Sequence, residues 1–216
     1  TVRRRAKYAV LDFEGGYSLV IHYRMTGKTV LDTERARHAR AWFDFGDHKV
    51  IAFVDTRRFG TLDIIETSTL KDWFEDKNLG PEPWPVRRNA TWWGARLGSV
   101  RSPIKVAMMR QDRVAGLGNI AATEILFRAG IHPKRMANSL SEQDWTRIAA
   151  AVPEFIDHTI AEEGGEEIQY VNQGGAGSFA VYGKGGEDCP ACDGKILRMV
   201  QAGRGTYYCS TCQSLD

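Results

Sequence analysis

Four cysteines confined to the last quarter of the chain, Cys189-x2-Cys192 and, sixteen residues later, Cys209-x2-Cys212, constrain this sequence more than any other feature. Each x2 turn presents two sulfurs to one point, and the stretch between the pairs is long enough for a hairpin. The spacing therefore predicts a single tetrahedral Zn2+ held by Cys189, Cys192, Cys209 and Cys212, with two disulfides or four unrelated thiols as the competing reading. A closed four-thiolate site is structural, so the metal would hold a fold and do no chemistry. What such a finger contributes must lie between its ligands, where Lys195, Arg198 and Arg204 accompany the aromatic pair Tyr207 and Tyr208. A hairpin pinned at its base and basic at its tip reads as a nucleic-acid finger.

The rest of the chain carries the same electrostatic signature locally. Formal net charge is only +2, yet cations gather at residues 3–7, 57–58, 87–88, 96–105 and 110–113. Local clustering, more than net charge, makes a footprint for phosphates, although any one cluster taken singly reads as solvated surface. Hydrophobic residues make up 43% of 216, enough for a real core in one large domain or two small ones plus the finger. No apolar run approaches the roughly 20 residues that span a bilayer, and no signal peptide opens the chain, so a membrane is not an expected partner. Thiolate ligands suit a reducing, cytoplasmic compartment.

Residues 1–65 alternate with a period of two. The segments 8–13, 18–23, 41–45 and 50–54 are rich in β-branched and aromatic residues and are cut by Gly15-Gly16 and Gly46-Asp47, which predicts antiparallel hairpins. Two loops stand out as unusual, Arg24-Met25-Thr26-Gly27 and the stretch from Asp55 to Gly60. Three prolines at Pro81, Pro83 and Pro85 suit neither strand nor helix and close the sheet region. Beyond them the period becomes helical. A helix is expected to begin near Ile104, a stronger one over 120–129 with Asn119 as N-cap and Gly130 as its stop, and a third over 145–161 with a kink at Pro153. Residues 162–177 are acidic and then glycine-rich, without periodicity.

With these features in hand, the sequence resembles the formamidopyrimidine-DNA glycosylase and endonuclease VIII family of base-excision repair enzymes. The resemblance is carried by Arg4-Arg5-Ala6-Lys7-Tyr8, His22-x-x-Met25-Thr26-Gly27, Asp55-x-Arg57-Arg58-Phe59-Gly60, Leu79-Gly80-Pro81-Glu82-Pro83, Ile104-Lys105 and Gly116-Leu117-Gly118-Asn119-Ile120. It continues through Glu124-Ile125-Leu126-Phe127-Arg128-Ala129-Gly130-Ile131-His132-Pro133, Val181-Tyr182-Gly183 and Gly203-Arg204-Gly205-Thr206-Tyr207-Tyr208-Cys209, in family order from end to end. The fold implied is α+β and multidomain: part of an antiparallel β-sandwich at 1–79, a helix-two-turn-helix domain at 80–165, a flexible loop at 166–180, and a four-cysteine zinc-finger β-hairpin at 181–216.

The function implied is that of a bifunctional DNA glycosylase and AP lyase, which flips an oxidised base from the duplex, forms a Schiff base and cleaves by β,δ-elimination. The partner is double-stranded DNA with a damaged base or abasic site, and the enzyme is expected to act as a monomer, cytoplasmic and associated with the nucleoid when bound. Carried over by motif, Met25, Arg57 and Phe59 would fill the gap left by the flipped nucleotide; a wedge and a stacking ring offset part of the few kcal/mol that flipping costs. Asn119, after Gly116 and Gly118, would clamp a phosphate, joined by His38, Arg101 and Lys105. Lys7 would assist base release and β-elimination, from a basic patch where like charge helps it give or take a proton. Arg204 would grip the phosphates around the lesion and assist δ-elimination, first as an electrostatic clamp because a guanidinium does not readily lose a proton.

The family nucleophile is an N-terminal proline followed by a glutamate, whereas this chain opens on Thr1 and Val2, a few residues before Lys7. The expectation is a front-truncated member lacking the opening helix and first strands, with an unpaired apolar sheet edge. The competing reading is a catalytically silent module that keeps the grip on damaged DNA. The loop at 170–180 looks short for covering a flipped purine, which leaves oxidised pyrimidines open beside 8-oxoguanine and formamidopyrimidine.

Overall fold

The computed structural model describes residues 1–31, 36–46, 49–163 and 179–215. The chain forms two compact units, Thr1–Asn78 and Leu79–Asp216.

Among the described residues the first unit has seven strands: β1 (Val2–Arg5), β2 (Tyr8–Asp12), β3 (Tyr17–His22), β4 (Gly27–Leu31), β5 (Ala39–Asp44), β6 (Val50–Asp55) and β7 (Thr61–Glu66). They pair antiparallel into a four-stranded sheet ordered β1-β2-β3-β7 and a three-stranded sheet ordered β4-β6-β5. The period of two explains the layering, because neighbouring side chains on a strand point to opposite faces. On β3, Val20 packs with Val10 against Leu70, while Leu19 and Ile21 turn the other way onto Phe53 of the second sheet. Leu70 opens the short helix α1 (Leu70–Glu75), so the first sheet is covered by a helix on one face and a sheet on the other. Strands β4 and β7 and helix α1 are less legible in the sequence, since polar residues such as Lys28, Asp63 and Asp72 interrupt their apolar pattern. The expected apolar edge is divided. The outer strand β1 is basic and exposed, which discourages edge pairing, while Leu31 at the end of outer strand β4 is exposed and apolar.

The second unit contains α2 (Ala90–Leu97), α3 (Ile104–Met108), α4 (Asn119–Arg128), α5 (Glu142–Glu163) and the hairpin β8 (Ile196–Gln201) with β9 (Arg204–Cys209). Its core joins Trp93 and Leu97 of α2, Ile104 and Met108 of α3, Ile125 and Leu126 of α4, and Ile148 and Val152 of α5. Helix α5 begins earlier than expected and runs on through Pro153, with Val152 and Phe155 anchored in that core on either side of the proline. Helix α4 also departs from expectation: Gly118 is its N-cap and Asn119 is its first residue, leaving the amide side chain free for other work. Gly130 does stop it, at φ 63°.

Asp144 organises the start of α5. Its carboxylate takes Arg135 Nη1 at 2.9 Å, Arg135 Nη2 at 2.8 Å and Arg147 Nη2 at 2.5 Å, and accepts from Ser141 N at 2.8 Å while its own N–H donates back to Ser141 Oγ at 3.2 Å. Burial alone would raise its pKa, but the bonds from Arg135, Ser141 and Arg147 outweigh it and hold the carboxyl well below the usual range. A depressed carboxylate contributes stability above its unfolded pKa of about 3.9 and loses it as pH falls further. Asp144→Asn should therefore cost about 3 kcal/mol at neutral pH, a gap expected to narrow progressively as pH falls below about 4 when both proteins are melted across that range.

Candidate nucleic-acid interface and metal centre

The four cysteines converge. Their Sγ atoms all lie within 4.8 Å of one another, with Cys189 to Cys212 at 3.8 Å, Cys192 to Cys209 at 3.5 Å and Cys192 to Cys212 at 3.4 Å. A tetrahedron with Zn–S bonds of about 2.3 Å has S···S edges of about 3.8 Å, whereas a disulfide would bring two sulfurs to about 2.05 Å. The spacing fits one four-coordinate ion and no disulfide. Backbone N–H groups of Ala191 and Gly194 reach Cys189 Sγ at 3.5 Å and Cys192 Sγ at 3.3 Å, the donors that steady thiolate ligands from outside.

The finger is fastened to the helices by buried polar groups. Glu124, fully buried on α4, accepts from Ala180 N at 2.9 Å, Val181 N at 2.9 Å and Tyr182 N at 2.8 Å, and pairs with Arg128 Nη1 at 2.7 Å. Gln213 accepts from Cys209 N at 3.0 Å and donates to Ile131 O at 2.8 Å, and Phe127 packs against the small core of Val181 and Ile196. Glu124 went unassigned in the sequence although a signal was there. A lone carboxylate inside the apolar run 120–127 has to find donors, because an unpaired buried charge is costly.

Asn119 and Lys105 meet where the helices join the finger. Lys105, expected at a DNA phosphate, is 1% exposed, and its Nζ donates to Asn119 Oδ1 at 2.5 Å and Thr206 Oγ1 at 2.7 Å. Asn119 Nδ2 donates to Gly205 O at 3.0 Å and Tyr182 Oη at 3.3 Å. Burial, and then the nearby charge of Arg204, push the Lys105 ammonium down to about 8. Arg204 opens β9 exposed, and shares with Lys105 a cavity also lined by Met109, Arg110 and Gln201. The structure thus brings Lys105, Asn119 and Arg204 together in the second unit. Arg101 is exposed two residues ahead of Pro103, the N-cap of α3.

In the first unit the two unusual loops come together. Met25 and Phe59 are exposed, at 69% and 52%. Between them lies Arg57, whose Nη1 reaches Met25 Sδ at 3.6 Å and whose guanidinium carbon stands 4.8 Å from the centre of the Phe59 ring. A thioether, a planar cation and an aromatic ring are therefore assembled side by side at the surface. Two glycines allow this: a Cβ on Gly27 would come within 2.5 Å of Tyr23 O, and one on Gly60 within 2.5 Å of the Phe53 ring. Lys7 is exposed beside Ala6, which has a φ of 51°. Its charge adds to burial and to Arg24 in lowering the pKa of His22. The His38 side chain is exposed, and its carbonyl accepts from Asp55 N at 3.2 Å. The loop at 170–180, expected to bear on the choice of lesion, lies outside the described residues up to residue 178.

Three family models match the chain: the formamidopyrimidine-DNA glycosylase N-terminal domain over residues 1–62, the formamidopyrimidine-DNA glycosylase H2TH domain over 79–170, and a zinc finger found in FPG and IleRS over 186–215. Among curated proteins, a formamidopyrimidine-DNA glycosylase of Cereibacter sphaeroides is 36% identical over 98% of this chain and 81% of its own length. One from Desulfitobacterium hafniense is 37% identical over 99% and 81%. Among solved structures, a Lactococcus lactis FPG mutant in complex with Fapy-dG containing DNA superposes with a TM-score of 0.88 at 32% identity, covering 99% of this chain and 81% of that one. MutM (FPG) from Thermus thermophilus gives a TM-score of 0.87 at 35% identity, covering 100% and 82%.

Proposed function

Because the chain belongs to the formamidopyrimidine-DNA glycosylase family, we propose that it acts in base-excision repair on double-stranded DNA carrying an oxidised base, formamidopyrimidine, 8-oxoguanine or an oxidised pyrimidine, or the abasic site left behind. The observation that carries this is the exposed array of Met25, Arg57 and Phe59. Such an array suits a base stack: the thioether wedges, the ring stacks, and the guanidinium offers paired donors to the base left without a partner. Side chains that served only core packing would be buried, not gathered at the surface.

The residues of the second unit take the backbone. Asn119 at the start of α4, where N–H groups point outward, and Arg204 at the finger tip receive phosphates, with Lys105 holding the Asn119 amide in place; Arg101 extends this grip, and His38 adds a contact from the first unit. A Zn2+ held by Cys189, Cys192, Cys209 and Cys212 supplies the finger's fold and takes no part in the reaction. In the family reaction the glycosidic bond breaks at C1′ as an amine forms a Schiff base there, and β- then δ-elimination expel the two phosphates. Lys7 passes protons in base release and the first elimination, and Arg204 stabilises the phosphates in the second. We assign residues 1–79 to the sandwich, 80–165 to the helix-two-turn-helix domain and 181–216 to the finger, working as a monomer in the cytoplasm. Among the described residues, no helix is long and apolar enough to cross a membrane.

The test is affinity for matched duplexes with and without one abasic-site analogue, measured by anisotropy at fixed salt. A preference of at least about tenfold for the damaged duplex is expected, falling toward unity in Arg57→Ala/Phe59→Ala as stacking worth about 1–3 kcal/mol per base is lost. Equal affinity of the unaltered protein for both duplexes would overturn the reading.

A further inference from the structure

Met25 and the pair Arg57 and Phe59 come from different loops, and the link between those loops is a buried carboxylate. Asp55, at the end of β6, is 1% exposed. Its Oδ1 accepts from the Thr26 hydroxyl, next to Met25, and from Arg57 N at 3.2 Å; its Oδ2 accepts from Gly60 N at 2.8 Å, next to Phe59. The Thr26 hydroxyl oxygen also takes Arg57 N at 3.3 Å, so one side chain of each loop closes a shared hydrogen-bonded ring. The main chain of Asp55 is tied down as well, with its N–H given to His38 O at 3.2 Å and its carbonyl taking Arg40 Nε at 2.8 Å. Arg58, between two of the array residues, sits at φ 59°, a left-handed conformation that a side chain adopts at a cost and keeps only when its surroundings impose it. Burial works against a charged Asp55, yet the Thr26 hydroxyl and the loop N–H groups lower its pKa, so the carboxylate stays ionised and keeps acceptors for both loops.

We propose that Asp55, acting through Thr26, is a positioning residue for the Met25, Arg57 and Phe59 array, holding it in the geometry that enters the base stack before DNA arrives. It touches no base itself. The inference rests on the reading of these three residues as the group that opens the stack. Its physical content is preorganisation: two surface loops that had to be ordered on binding would spend affinity on that ordering, and a charge-assisted ring ordered in advance removes this cost.

The experiment uses the whole chain and a duplex in which 2-aminopurine flanks one abasic-site analogue, so that fluorescence rises as the stack opens. The unaltered protein should give the rise. Thr26→Val, which keeps shape and removes the hydroxyl at a partly exposed position, and Asp55→Asn, which replaces one acceptor with a donor, should each slow or shrink it by about tenfold, the factor one charge-assisted hydrogen bond is worth. Thr26→Ser should restore it. Affinity for undamaged duplex should stay within about twofold, because backbone phosphates supply nonspecific binding. The double variant should be no worse than either single one, as expected of residues sharing one interaction. If Asp55→Asn fails to fold, Thr26→Val decides alone. A full, fast rise from Thr26→Val defeats the inference and leaves the wedge reading standing. No rise from the unaltered protein defeats the wedge reading, and this inference with it.

Discussion

Cys192→Ser is expected to abolish Zn2+ binding at the proposed four-cysteine site and to lower affinity for duplex DNA by at least about a hundredfold at moderate salt, roughly the loss of two or three phosphate contacts. Apart from the buried bonds of Glu124 and Gln213, the finger has only a small core of its own. Its apolar core is Val181 and Ile196 with the cysteines themselves, packed against Phe127. A structural zinc in a site of this type contributes on the order of 10 kcal/mol, more than such a core can replace. Without it, β9 has no reason to keep Gly205 O and Thr206 Oγ1 where Asn119 and Lys105 find them, at 3.0 Å and 2.7 Å. The tip residue Arg204 would lose its place beside them. Metal content by elemental analysis and anisotropy between 50 and 200 mM salt, the range over which phosphate contacts are counted, check this together. A metal-free variant that binds duplex as tightly as the parent would sink the role given to the finger.

Removing Glu124 should be nearly as damaging by a different route. Glu124→Ala leaves three backbone N–H groups, from Ala180, Val181 and Tyr182, without their acceptor and strands the largely buried Arg128. Breaking a buried, hydrogen-bonded charge pair from one side costs about 3–5 kcal/mol, which for a unit of this size lowers the melting temperature by about 10 °C or more. Glu124→Gln is not a rescue. Its Oε1 can still accept, but the NH2 group would face the Ala180 N–H and the Arg128 guanidinium, donor against donor. Thermal melting gives the magnitude, and hydrogen exchange at residues 180–182 localises it. Unchanged protection of those amides in Glu124→Ala would show that the carboxylate is not what holds the segment.

Much of this was legible before any coordinates. The cysteine spacing predicted a four-sulfur cluster because two x2 turns and a hairpin leave the thiols few other ways to meet, and the sulfurs do converge. Alternation over 1–65 marked the sheet region through Val20 and Leu19, whose opposite faces both found a core. Gly130 ended α4 as its position implied. The first loop residues singled out, Met25, Arg57 and Phe59, were identified by resemblance, and only their motif neighbours Thr26, Asp55 and Gly60 explain why they stand together.

What could not be read from the chain follows a common pattern. Lys105 looked like one more surface cation in a basic stretch, yet it is buried with its Nζ on Asn119 and Thr206. Asn119 looked like a cap, yet Gly118 holds that position and the amide reaches across to Gly205 and Tyr182. In each case the side chain's partner lies far away in sequence, and local propensity carries no information about such a partner.

By itself, then, the sequence determined many of the elements, though not β4, β7, α1 or α2, and their chemistry: period-two strands, helices with their stops, a cysteine cluster, and loops bearing a thioether, a guanidinium and a ring. Those follow from steric and hydrophobic preferences that act over a few residues. Only the tertiary structure decided which buried polar groups join them, setting Asp55 between two loops, Glu124 beneath the finger and Lys105 inside the helix junction. The reason is that a buried charge is tolerated only where several distant donors or acceptors converge on it, and that convergence exists only once the chain has folded.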